Sequence, residues 1–194
     1  MPKRDPDHMA SQRTRILRAT IECIAGKGVE GASIAEICRL AGLSTGALYV
    51  HFRNREDILV EAVRYASNDT QTFPDDWPSL KAMILNFEDQ DGFDIVTVVR
   101  LRLYLSAEFV RTGLLHDVGR PLLQRQVSTL ARHLQKMHDM GSVALRFSAT
   151  QTAVNISAYI DGMVWIALAI DRPLEELRRE LSDGLDALAL SGRG

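Results

Sequence analysis

The residues with the clearest chemical purpose lie between Ser33 and Arg55. Within this stretch no Asp or Glu occurs between Glu36 and Glu56, while Arg39, Arg53, Arg55 and His51 are present. An acid-free, cationic segment is what a polyanion requires. Ser44-Thr45-Gly46-Ala47 is a run of small residues that lets backbone approach a duplex closely. A Thr or Ala methyl can touch a thymine methyl, and hydroxyls can bond a base edge or a phosphate. Tyr49 and His51 add polar tips on planar bodies, suited to backbone phosphates. Arg55 is expected at the start of a helix, where unpaired amides also favour a phosphate.

These residues must be held by helices. Ser33-Ile34-Ala35-Glu36 reads as a capping box opening a second helix, with Ile34, Ile37, Cys38 and Ala41 on its inner side. Gly42-Leu43 breaks that helix, Ser44 caps a short third one to about Val50, and Asn54 caps a fourth. Upstream, Ile16, Thr20 and Ile24 beside Leu17, Ile21 and Ala25 form the stripe of a first helix over about 11–27, ended at Gly28. Helix, Gly-bearing turn and short helix over 33–52 form a helix-turn-helix, in which the second helix enters the major groove.

The run Gly28-Val29, Ser33-Ile34, Ile37, Ala41-Gly42-Leu43-Ser44-Thr45-Gly46-Ala47-Leu48-Tyr49, His51-Phe52, Arg55-Glu56 and Leu59 resembles the TetR family of transcriptional regulators. It departs from that pattern at Ile24, Cys38 and Arg55, where an aromatic, Ala and Lys are usual. The resemblance covers about residues 11–66. It implies a homodimeric repressor whose helical C-terminal domains bind a small molecule and thereby release a palindromic operator. It also implies that the last two long helices form a four-helix dimer bundle. The DNA-contacting set is then Ser33, Ile34, Ser44, Thr45, Gly46, Ala47, Tyr49, His51 and Arg55.

The rest of the chain fits an all-α protein of about nine helices. A flexible arm over 1–10 precedes the DNA-binding domain, 11–66, and a regulatory and dimerisation domain, 67–194. Asn68 to Pro78 reads as a loop, followed by helices near 79–88, 93–112, 121–140, 143–170 and 173–190. The helix over 143–170 is apolar nearly all round, so one side serves its own core and another a partner. Ile156, Tyr159, Met163, Ile166, Leu177, Leu181 and Leu185 are the expected dimer residues. Phe87, Arg100, Tyr104, Phe109 and Trp165 are candidates for a ligand pocket.

Composition bounds the alternatives. The chain has 194 residues, 46% of them hydrophobic and 25% charged, so global disorder is excluded. A net charge of −2 excludes a uniformly basic coat. Residues 1–66 nevertheless hold ten Lys/Arg against eight Asp/Glu. Two cysteines, Cys23 and Cys38, exclude a disulfide scaffold and read as buried small hydrophobes. Met1 to Ala10 lacks the apolar core of a secretory signal, and Ala153–Ile170 reads as a buried helix, so the cytoplasm is the expected compartment. Neither a P-loop, a Rossmann glycine pattern nor a nucleophile elbow is present, and His133 and His138 do not share a helix face. No catalytic residue, metal ligand or cofactor is expected. The competing reading is an all-helical enzyme or small-molecule-binding protein with no DNA role.

Overall fold

The computed structural model describes residues 6–67, 73–86 and 92–189. Nine α-helices occur among them: α1 (Pro6–Gly31), α2 (Ile34–Ala41), α3 (Thr45–Tyr49), α4 (Arg55–Ala66), α5 (Trp77–Ile84), α6 (Ile95–Val110), α7 (Leu114–Asp139), α8 (Ala149–Ala169) and α9 (Leu174–Ala189). They fall into two compact units, Met1–Asp69 with Arg100–Leu122, and Thr70–Val99 with Leu123–Gly194.

In the first unit, α1 packs on both α2 and α4. Its core stripe is as the 3.6-residue period demands: Ile16, Thr20 and Ile24 are wholly buried. Thr20 escapes the cost of a buried hydroxyl by donating to the Ile16 carbonyl at 2.8 Å. Ile37, Leu48, Phe52, Ile58 and Leu59 close the core from the other helices. At Gly28 the backbone leaves the helix with φ 74, a conformation open to glycine, before a last turn to Gly31. Cys23 and Cys38 are buried free thiols.

Two boundaries differ from the sequence expectation. Residues 6–10, expected in a flexible arm, form the first turns of α1, where Pro6 has the φ a helix start needs and Asp7 meets the positive end of the dipole. Residues 100–122, expected in the C-terminal domain, belong to the first compact unit. There the Tyr104 ring lies 3.2 Å from where a Cβ on Gly28 would stand, so it covers the α1 turn.

The second unit is built on α8 packed against α9. Trp77, Leu80, Leu134, Met137, Ala153, Ile156 and Leu185 form one buried cluster. Ile95, Val99, Val164, Leu177 and Leu181 form another. Asp186 anchors α5 to α9, accepting from Trp77 Nε1 and Lys81 Nζ at 2.7 Å each. Helix α8 starts at Ala149 instead of Val143, because Ser148 caps it by accepting from the Gln151 amide at 3.2 Å. Helix α7 starts at Leu114 and carries Pro121 inside it, so Pro121 is not the helix start the sequence suggested. Helix α8 is long and apolar enough to cross a membrane, with mean hydropathy 1.3, but one side of it is the core of this unit.

Candidate nucleic-acid interface

The helix-turn-helix is held by its caps. Ser33 Oγ accepts from the Glu36 amide, Ser44 Oγ from the Ala47 amide, both at 3.2 Å, and Asn54 Oδ1 from the Asp57 amide at 2.8 Å. Gly42 takes the left-handed conformation, φ 62, and the Gly42 and Leu43 amides donate to the carbonyls of Arg39 and Cys38. That is a Schellman ending, and it sets the angle at which α3 leaves α2. The Cys38 thiol, 3.9 Å from Thr45 Oγ1, joins the two helices from below.

Helix α3 turns Leu48 inward, fully buried, and leaves Ser44, Thr45, Gly46, Tyr49 and Val50 exposed, with Ala47 half-buried. Tyr49 is 50% and Val50 46% exposed. These are large apolar surfaces shown to solvent at the end of a five-residue helix and at its C-cap, so folding does not require them there. Val50 escaped the sequence reading, although its place next to Tyr49 and two residues after buried Leu48 was the available signal. Ile34 is half-buried at the start of α2. His51 is half-buried, its Nε2 3.2 Å from Gln12 Oε1.

Much of the expected cationic surface is engaged internally. The Arg55 guanidinium donates to the Ala32 carbonyl at 2.8 Å and to the Val29 carbonyl, tying α4 to the α1–α2 turn. Arg55 is half-buried, and its guanidinium is thus already engaged at the end where a phosphate contact was expected. Glu56 and Asp57 also stand in the first turn of α4, where they oppose an anion. Arg15 donates to the Ala41 carbonyl at 2.6 Å, at the C-terminal end of α2. Arg39 forks onto Glu36 at 2.8 and 2.9 Å, and Lys27 bonds the same carboxylate at 2.7 Å. Those partners pull the Glu36 carboxyl down to about 2. Glu36 therefore does not close the capping box expected of it. Arg53 stays exposed.

The ligand and dimer candidates fare differently. Phe87 lies outside the described residues. Arg100, Tyr104 and Phe109 belong to the first unit and Trp165 to the second. Tyr104 covers Gly28, and Phe109 lies where a Cβ on Gly119 would stand. Arg100 and Trp165 are exposed. A cleft of about 620 Å³ does exist in the second unit, between α7 and the start of α8. It is lined by Leu123, Gln124, Val127, Ala131, Arg132 and Ala149 among others, and none of the described candidates is among its lining residues. Of the expected dimer residues, Ile156, Leu177, Leu181 and Leu185 are buried in their own unit at 1% exposure or less, and Tyr159 and Met163 pack on that core. Only Ile166 faces outward, 47% exposed. The outward apolar surface of α8 is instead Val154, Ala158, Trp165 and Ala169 at helical spacing, flanked by Ile166 and Ile170.

An α2–α3 pair braced on α1 and α4, with an exposed capped second helix, defines a helix-turn-helix regulator. Residues 16–62 match the family described as bacterial regulatory proteins, tetR family. The chain is 26% identical to the HTH-type transcriptional regulator TtgR of Pseudomonas putida, the alignment covering 98% of each chain. It is 33% identical over 64 residues to the HTH-type transcriptional repressor Rv1474c of Mycobacterium tuberculosis, 33% of this chain and 34% of that one. Among solved structures, a TetR-family transcriptional regulator from Rhodococcus sp. superposes with TM-score 0.73 at 24% identity, covering 93% of this chain and 99% of that one. A transcriptional regulator from Saccharomonospora viridis in complex with choline gives TM-score 0.71 at 22% identity, covering 94% and 99%.

Proposed function

We propose that this chain is a cytoplasmic transcriptional repressor that reads a palindromic operator with two copies of α3 and is released by a small molecule. The exposed surface of α3 carries the reading: Thr45, Gly46, Tyr49 and Val50 offer a hydroxyl, a close backbone, a phenol and a methyl-bearing face to a major groove. Ser33, Ser44 and Asn54 act by capping, and Thr45, Tyr49, His51 and Arg53 are the direct contacts. Selection of duplexes from a random pool tests this. The wild-type chain should enrich an inverted repeat, and Tyr49→Ala should lose the enriched site while unfolding at an unchanged temperature. A Tyr49→Ala protein that binds like wild type would remove Tyr49 from the interface.

Pairing follows from α8. Val154, Ala158, Trp165 and Ala169 form an apolar stripe, and small Ala158 lets two such helices approach closely across a two-fold axis. The effector site we assign to the α7–α8 cleft, whose volume suits a small ligand. A fold relative holds choline. Among the described residues the cleft lining includes Arg132 and no carboxylate, which favours a neutral or anionic molecule over a cation. Thermal-shift titration should show greater stabilisation by medium-chain carboxylates than by choline, and the reverse order would refute the assignment.

A further inference from the structure

Helix α3 has five residues, too few to hold itself by its own hydrogen bonds. Its N-terminal end is fixed by Ser44. Its C-terminal end, next to Tyr49 and Val50, runs into the His51–Phe52 turn, and there one side chain from α1 meets three neighbours. The Arg13 guanidinium donates to Glu61 Oε2 on α4 at 2.7 Å and to the His51 carbonyl at 3.3 Å, and its Cζ stands 4.5 Å from the centre of the buried Phe52 ring. Gln12, the adjacent residue, meets the His51 ring at 3.2 Å. Glu61 is held from its other side by Arg64 at 2.7 Å. A planar fork is the group that reaches a carboxylate and a carbonyl at once while lying on an aromatic face, and an ammonium does not reproduce that geometry.

We propose that Arg13 is a positioning residue for operator recognition. It latches the end of α3 to α1 and α4, and so fixes where Tyr49 and Val50 stand against the bases, without touching DNA. The inference rests on the DNA-binding reading above. Two features set it apart from a phosphate contact. The charge of Arg13 is already paired with Glu61, and its geometry, rather than its charge, does the holding.

The test uses the full chain and the duplex that wild-type protein enriches from a random pool. Arg13→Lys keeps the charge and loses the fork. It should weaken binding about tenfold, leave the slope of log affinity against log salt unchanged, and speed amide exchange at His51 and Phe52. Glu61→Gln gives the opposing forecast. A latch predicts weaker binding, because Arg13 loses its anchor. A phosphate-seeking Arg13 predicts tighter binding, because the arginine is released and an acid is gone. The proposal is overturned by wild-type affinity and exchange in Arg13→Lys, by tighter binding in Glu61→Gln, or by a salt slope shallower by about 0.9 in Arg13→Gln, the signature of one lost phosphate contact. Failure of the DNA-binding reading looks different: the wild-type chain then enriches no sequence, while exchange at His51 in Arg13→Lys still reports whether the latch exists.

Discussion

Gly184 sits in the interior of α9, where glycine costs about 1 kcal/mol relative to alanine. The cost has a visible cause. A Cβ placed on Gly184 would overlap Oη and Cζ of Tyr159 and come within 2.7 Å of Cε1. Tyr159 on α8 lies across α9 at this point, donates from Oη to the Glu180 carbonyl at 3.1 Å and packs against both buried clusters of the unit. Gly184→Ala must therefore rotate the ring away. Overpacking of this kind costs about 1–3 kcal/mol and the lost hydrogen bond about 1 kcal/mol, against the helix-propensity gain of about 1 kcal/mol. The net is a destabilisation of about 2 kcal/mol, or about 4–8 °C in melting temperature for a chain of this size. In a Tyr159→Ala background the obstruction is gone, and the same substitution should stabilise by up to about 1 kcal/mol. The four proteins of this cycle, unfolded in denaturant at one fixed protein concentration, measure the coupling directly. The same sign for Gly184→Ala in both backgrounds would refute the contact.

Three further outcomes are expected. Arg55→Ala should lower unfolding stability by about 2–4 kcal/mol, since it deletes two charged hydrogen bonds to backbone carbonyls, and Arg55→Lys should recover about half; unchanged stability with a salt slope of DNA binding shallower by about 0.9 would return Arg55 to the phosphates. Trp165→Arg should give a folded monomer by sedimentation, because Trp165 is outward on α8, whereas Met163→Arg should injure the fold itself; a stable Trp165→Arg dimer would place pairing elsewhere. Glu36→Gln should narrow the acid-side stability of the chain in a defined window. The Glu36 carboxyl is held near 2 by Arg39 and Lys27, below its ordinary 4.5, so its contribution is full above about pH 4.5 and fades as pH falls toward 2. A wild-type advantage that does not shrink between pH 4.5 and 3 would contradict that pairing.

The caps were legible because they depend on neighbours in sequence. Ser33, Ser44, Asn54 and Gly42 all act where short-range chemistry puts them. The outward face of α8 was not, because a helix apolar on nearly every side has no period from which to pick a direction. Ile156, Leu177, Leu181 and Leu185 were apolar for the sake of their own unit, and the outward stripe became visible only when α9 was in place. Charge was ambiguous in the same way. An arginine suits a phosphate and a backbone carbonyl alike, so Arg13, Arg15 and Arg55 could be sorted only by what stands within 3 Å. The cap at Ser148 went unread, because the apolar run from Val143 already looked like helix.

The arginines paired within the protein bear on how such a head, on the proposed DNA-binding reading, would travel along a chromosome. Sequence-independent attraction to DNA scales with the number of phosphates neutralised. With Arg13, Arg15, Arg39 and Arg55 engaged by the protein's own carbonyls and carboxylates, each phosphate contact they made would first have to displace an internal partner. On the proposed reading, that displacement would shorten the head's stay on wrong sites. In the proposed dimer a correct site would be held most firmly when two heads land together, the first raising the local concentration of the second. Any movement that spoils their simultaneous landing would then empty the operator without altering a single contact residue.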